Sequence, residues 1–190
     1  MNIESIIKER NKGWKKKPEI PEWVDLEDVS LDQFFTKPEI AKKYYLKTLK
    51  FLKKENINIE DCLFVEPSAG DGSFFKLLPK NQRIGLDLYP MAEGIIKKDF
   101  LNWTPPKTDK KIIFIGNPPF GYRAWLALNF MNHASKFADY IFFILPMSFQ
   151  SEGKGSSKYR VKNMKLIHSE IIPNDSFYEP NGKIVKINAL

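Results

Sequence analysis

Residues 112 to 121 read Ile112-Ile113-Phe114-Ile115-Gly116-Asn117-Pro118-Pro119-Phe120-Gly121. The first four are β-branched or aromatic with no polar alternation, the pattern of a strand buried on both faces, and the two prolines forbid its continuation. Asn117 to Phe120 therefore fall at a strand's carboxyl end. Open α/β sheets place their ligands there.

An Asn side-chain oxygen and a proline-fixed backbone carbonyl are two acceptors that cannot drift, and Phe120 offers a flat face beside them. Such a set suits a planar group bearing NH2. The lone pair of a ring amine is delocalised, and accepting both of its N–H bonds in a tetrahedral arrangement draws the pair back, so that the nitrogen can attack an electrophilic methyl. Read in isolation, the same tetrapeptide is also an ordinary turn that closes a strand.

At 190 residues the chain has the size of one domain, with enough apolar residues for a real core. Its one cysteine, Cys62, precludes an internal disulfide, and His133 and His168 offer no zinc-ligand spacing, so metal-free chemistry is expected. A formal charge of +7 favours a polyanionic partner. No apolar run reaches transmembrane length and Met1 to Lys17 lack the apolar core of a signal peptide, which predicts a cytoplasmic protein without a membrane partner.

Outward from the central run, strands and helical stretches alternate. Residues 1–30 form a basic arm in which lysines interleave with Trp14 and Trp23, either lying on nucleic acid or folding its tryptophans back onto the domain. Residues 31–190 form the domain proper. A helix is expected from Glu39 to about Glu55, with Thr36 and Glu39 as a capping box and Pro38 in the first turn. Phe34, Phe35 and Thr36 before it fall in a loop that can cover a ligand.

Cys62 to Val65 reads as the first buried strand, running into Glu66-Pro67-Ser68-Ala69-Gly70-Asp71-Gly72, where small residues permit close backbone approach and a helix to Leu78 is expected to follow. The glycines do not form a dinucleotide fingerprint, because Phe75 stands at its third small position. A second strand, Arg83 to Leu86, ends in Asp87, placed either to accept ribose hydroxyls or as an ordinary loop acid. A short third strand near Ile95 leads to Asp99-Phe100, an acid and a ring able to bracket a base. Beyond Phe120 come a helix from about Tyr122 to Phe137 and a strand over Tyr140 to Leu145. The basic, Ser- and Gly-rich stretch 150–165, with Lys154, Lys158 and Arg160, is a mobile or phosphate-contacting loop. Two last strands are expected at Leu166–Ile172 and Lys183–Leu190, the second antiparallel.

Taken in order, Asp32-Gln33-Phe34-Phe35-Thr36, the loop from Glu66 to Gly72, Asp87, Asp99-Phe100 and Asn117-Pro118-Pro119-Phe120 resemble the motif series of the S-adenosylmethionine-dependent N6-adenine DNA methyltransferases. The resemblance implies a seven-stranded, Rossmann-like class I methyltransferase sheet, mostly parallel with an antiparallel last strand. It assigns Phe34, Phe35 and Thr36 to the methionine end of the cofactor, Glu66, Ala69, Gly70 and Gly72 to the loop beneath it, Asp87 to its ribose and Asp99 with Phe100 to its adenine. Asn117, Pro118, Pro119 and Phe120 would hold the target base, Asn117 also touching the cofactor, with Phe177 or Tyr178 clamping the other face. Many members of that family carry a separate recognition region, for which these 190 residues are expected to leave no room unless the sequence is a shortened one. The basic loop, the arm or a partner subunit would then recognise DNA. An RNA adenine methyltransferase, a protein glutamine methyltransferase and a non-catalytic cofactor- or nucleic-acid-binding module are the rival expectations.

Overall fold

A computed structural model describes residues 34–121, 124–153 and 155–190. The basic arm, Asp32, Gln33 and Lys154 lie outside the described residues.

The central run does form a strand between two others. β2 (Cys62–Glu66), β3 (Arg83–Asp87), β4 (Ile95–Lys97), β5 (Lys111–Gly116) and β6 (Tyr140–Phe143) make a five-stranded sheet in the order β4-β3-β2-β5-β6, every pair parallel. Side chains alternate across such a sheet, so Phe64, Ile113 and Ile115 enter one layer and Val65, Leu86 and Phe114 the other. Helix α1 (Pro38–Lys54) covers the first face through Ala41 and Leu52, and α2 (Trp125–Ala134) covers the second through Leu126, Phe130 and Ala134. Both faces are roofed, which is why the strand sequences carry no polar alternation. Removing a ring as fully enclosed as Phe114 or Phe64, both 0% exposed, typically costs about 3–5 kcal/mol.

The strand order reverses between β2 and β5. From β2 the chain moves outward to β3 and β4, then crosses back to β5 and on to β6. The carboxyl ends of β2 and β5 thus flank a topological switch point, where loops diverge and leave a crevice.

Three expectations about elements are corrected. The helix to Leu78 is only a 3₁₀ turn, Phe75–Leu77, because little chain separates Gly72 from Pro79 and the proline drives Leu78 into extended backbone. The capping box does not form. Lys37 occupies the N-cap position with no side-chain cap, Pro38 opens the helix, and Thr36 lies one residue too early, in β1 (Phe35–Thr36). The predicted Tyr122–Phe137 helix is shorter, with Ala124 in the left-handed region at its N-cap.

The seven-stranded single sheet is also corrected. β1, β7 (Phe177–Tyr178) and β8 (Ile184–Val185) build a separate antiparallel sheet in the order β1-β7-β8. Leu166–Ile172 is not a strand. Pro173 closes it, Glu170 is drawn into an ion pair with Lys47 of α1, and Leu166, Ile167 and Ile171 stay exposed. The antiparallel return expected over Lys183–Leu190 is present in β8, paired with β7, and in one bridge, Pro146 to Ala189, where Leu145 and Leu190 exchange hydrogen bonds of 3.1 and 2.8 Å. Among the described residues no helix is long and apolar enough to cross a membrane.

Candidate functional site

The small sheet sits over the switch point. Asn117, just past β5, donates from its amide nitrogen to the Phe34 carbonyl at 3.1 Å, and Phe35 of β1 lies against Gly70. Gly70 has φ +47°, and a Cβ there would stand 2.8 Å from the Phe35 ring, so this contact requires glycine. Ser68 donates to the Asn117 carbonyl at 3.0 Å, joining the loops after β2 and β5.

Two adjoining cavities share Phe34, Phe35, Ser68, Gly70 and Asn117 as walls. The larger, about 120 Å³, extends past Asp87 to Asp99 and Phe100 on one side and to Pro118, Pro119 and Phe120 on the other. The smaller, about 20 Å³, reaches down to Thr36, Glu66, Ala69, Asp71 and Ser73. The loop residues and the Asn-Pro-Pro-Phe tetrad, far apart in sequence, therefore meet around one space. Gly72 does not line either cavity; with φ +82° it shapes the turn that lets Gly70 do so.

Polar atoms around the smaller cavity are left without partners. Among the described residues, the buried side-chain atoms lacking a hydrogen bond are Thr36 Oγ1, Glu66 Oε2 and Asn117 Oδ1, and all three residues line it. Orphaned buried polar atoms are costly, and three clustered on one small cavity mark it as a place for a small hydrogen-bonding group. Glu66 is 2% exposed. Burial, and then the negative charges of Asp71 and Asp87, push its carboxyl well above the usual range, against one lowering contact, a hydrogen bond from the Phe75 backbone.

Asp87 lines the larger cavity. Its Oδ2 accepts from the Gly70 N–H at 2.7 Å and its Oδ1 from the Tyr89 N–H at 2.8 Å, so the carboxylate shapes the glycine loop and keeps further acceptor capacity toward the space. Asp99 caps the 3₁₀ turn Phe100–Asn102 by accepting from Leu101 N–H at 2.9 Å. Phe100, expected to stack freely on a base, is 1% exposed. It packs against Trp103, Phe114, Phe130 and His133, with centroids 4.8–6.3 Å away, and meets the cavity only as part of its wall. Beneath it His133 bonds the Trp103 carbonyl at 2.7 Å, and burial lowers its pKa.

Of the rings expected to clamp a base, Phe120 and Phe177 both line the larger cavity and Tyr178 does not. Phe177 is fully buried and meets Phe120 edge to face, centroids 6.3 Å apart at 82°, so no slot for a base lies between the two rings. Tyr178, next along β7, points to the opposite side, where its hydroxyl donates to Asp71 and its ring tilts against Phe35. The basic stretch is held by local contacts. Lys158 is ion-paired with Glu152, and Arg160 donates to Ser157 in a 3₁₀ turn anchored by buried Ser156 and Ser157. Contact with phosphate would require Lys158 to leave its partner.

Sequence reasoning missed Ser68, Asp71 and the rim residues Leu88 and Lys98. For Ser68 and Asp71 a signal existed, since each stands inside the glycine-rich loop. Compared with protein-family models and with curated proteins, the chain matches no family model and no curated sequence. Fold and site together define an α/β protein whose parallel sheet holds a partly polar crevice at its switch point.

Proposed function

We propose that the protein is a methyltransferase that uses S-adenosylmethionine to modify the N6 amine of adenine in nucleic acid, with DNA the favoured substrate. One observation carries the reading: Asn117, its amide oxygen buried and unpartnered, stands in the same cavity wall as Gly70 and Asp87 on one side and Pro118 and Phe120 on the other. A group with ribose hydroxyls, an aromatic base and an amino-acid end fits these residues. Asp87 supplies acceptors for the hydroxyls, Asp99 and the Phe100 wall border the base, and the orphaned acceptors of Thr36, Glu66 and Asn117 await a donor-bearing end.

When bound, S-adenosylmethionine supplies a sulfonium-held methyl group already activated toward nitrogen. The chain's own part is positioning and electrostatics. Asn117 Oδ1 accepts an N–H of the target amine and returns lone-pair density to nitrogen. Phe120 presents its face to a base rotated out of the stack, which costs a few kcal/mol of unstacking. On this reading the Pro146–Ala189 bridge stands where the antiparallel last strand of a seven-stranded sheet runs. The arm over residues 1–30 and Arg160 would supply phosphate contacts in a cytoplasmic enzyme, with a partner subunit the other route to target recognition.

Incubation with labelled S-adenosylmethionine and either genomic DNA or total RNA, followed by digestion to nucleosides, tests this. Label in N6-methyladenine from DNA is the expected result. Label from RNA alone moves the substrate to RNA, and no label from either refutes the transfer. A second reading, a cofactor-binding module without transfer, is favoured by the edge-to-face contact of Phe120 with Phe177, which leaves no slot between these two rings. Cofactor binding without labelled product would support it.

A further inference from the structure

We infer that the smaller cavity is a proton-coupled cation site: it takes one ammonium group, and the arrival of that group drives a proton from Glu66 into solvent. The inference rests on the cofactor reading only for which ammonium this is, namely that of the amino-acid end.

The smaller cavity is built for a donor. Its unpartnered atoms, a hydroxyl oxygen, a carboxyl oxygen and an amide oxygen, are all acceptors when Glu66 is ionised, and among the described residues no Lys, Arg or His lines it. Thr36 is 3% exposed and Glu66 2%, so both are screened from bulk solvent. The charged and titratable groups facing Glu66 are acids. Asp71 comes from the glycine loop and Asp87 from the end of β3, while β1 contributes only Thr36 and the end of β5 contributes Gly116. Lys76, just after the same loop, does not compensate. It donates to the Asp71 backbone carbonyl at 2.8 Å rather than to a carboxylate, and the group on the Asp71 carboxylate from β7 is the neutral Tyr178 hydroxyl.

Enclosure and two nearby like charges raise this carboxyl well above its usual range, burial being the largest reason, and so favour its protonated form in the free protein. An incoming ammonium reverses the balance. It provides the opposite charge and the N–H bonds that favour the carboxylate, and the displaced proton passes to buffer. The site thereby separates ligands by charge. A nucleoside without the amino-acid end fills the larger cavity and leaves Glu66 protonated.

Titration calorimetry of the full chain near neutral pH, in buffers of differing ionisation enthalpy, counts the protons. S-adenosylmethionine and S-adenosylhomocysteine, which both carry the ammonium, are expected to release about one proton per site. Methylthioadenosine, which lacks it, is expected to release none, and Glu66→Gln is expected to bind the cofactor with none released. Binding of the cofactor with the same heat in every buffer overturns the inference while leaving the cofactor reading intact. Release with S-adenosylmethionine but not S-adenosylhomocysteine also overturns it, because the sulfonium would then be the trigger. No binding of either cofactor form by equilibrium dialysis removes the cofactor reading and this inference with it. The proton count is made on the natural sequence, so its outcome does not depend on how Glu66→Gln folds.

Discussion

The Tyr178 hydroxyl donates to the Asp71 carboxylate across 107 residues of sequence, tying the small antiparallel sheet to the glycine loop of the large one. The same carboxylate accepts from Ser73 N–H at 3.0 Å and from the Ser73 hydroxyl at 2.9 Å, so one acid fixes both the loop and its cover. With Asn117 holding Phe34, the cover is pinned at two points on either side of the smaller cavity.

Tyr178→Phe removes one pin and little volume. Hydrogen bonds to charged groups contribute about 1.5–3 kcal/mol, and this one is only partly buried, so cofactor affinity is expected to fall roughly tenfold. Calorimetric titration of the variant measures it; affinity equal to wild type shows that the tie does not hold the cover.

The Tyr178 phenol is pushed up to about 12, first by burial and then by Asp71. A phenol whose folded-state pKa lies above its ordinary 10.0 contributes stability that is complete below pH 10 and is lost as pH rises toward 12. Tyr44, also raised to about 12 by burial and Glu170, behaves alike. Denaturant unfolding across this window is expected to show a shallower alkaline loss in Tyr178→Phe than in wild type, and equal slopes would count against the linkage.

Asn117→Ala removes the acceptor aimed at the target amine. At saturating cofactor, methyl transfer is expected to fall about 10²–10³-fold, as for loss of one preorganised polar group, while cofactor binding survives but weakens about tenfold, because the tie to Phe34 is lost as well. Single-turnover rates beside a binding titration separate the two; unchanged turnover refutes the role.

Gly70→Ala places a methyl 2.8 Å from the Phe35 ring at a residue with φ +47°. Overpacking and backbone strain together are expected to cost about 1–3 kcal/mol and to lift β1 from the loop. A lowered Tm with weakened cofactor binding is the expected pair of results, and a variant as stable as wild type would mean that β1 yields freely.

Asp87→Ala withdraws the acceptor from Gly70 N–H and Tyr89 N–H as well as from the cavity. Cofactor affinity is expected to drop at least about tenfold, in line with loss of charge-assisted hydrogen bonds. Wild-type affinity by calorimetry would remove Asp87 from the site.

The parallel sheet was legible because its signals are local. Cys62–Glu66, Arg83–Asp87 and Lys111–Gly116 announce strands by composition alone, and a glycine loop after the first and a proline pair after the third mark two of the functional carboxyl ends. Elements failed where a neighbour outweighed local pattern. Pro79 shortened the helix after the glycine loop, and Leu166–Ile172, apolar enough for a strand, was left out of both sheets.

By itself, then, the sequence determined the α/β class, the order of the five parallel strands along the chain and the loops that reach the crevice. Tertiary structure alone decided that β1 joins β7 and β8 in a separate cover, that Phe177 is buried on Phe120 while Tyr178 turns to Asp71, and that Phe100 is wall rather than platform. The reason is one of range. Strand and turn preferences act over a few residues, but the side of a strand that meets a cavity is set by contacts spanning most of the chain, and a period of two makes the alternatives equal until those contacts form.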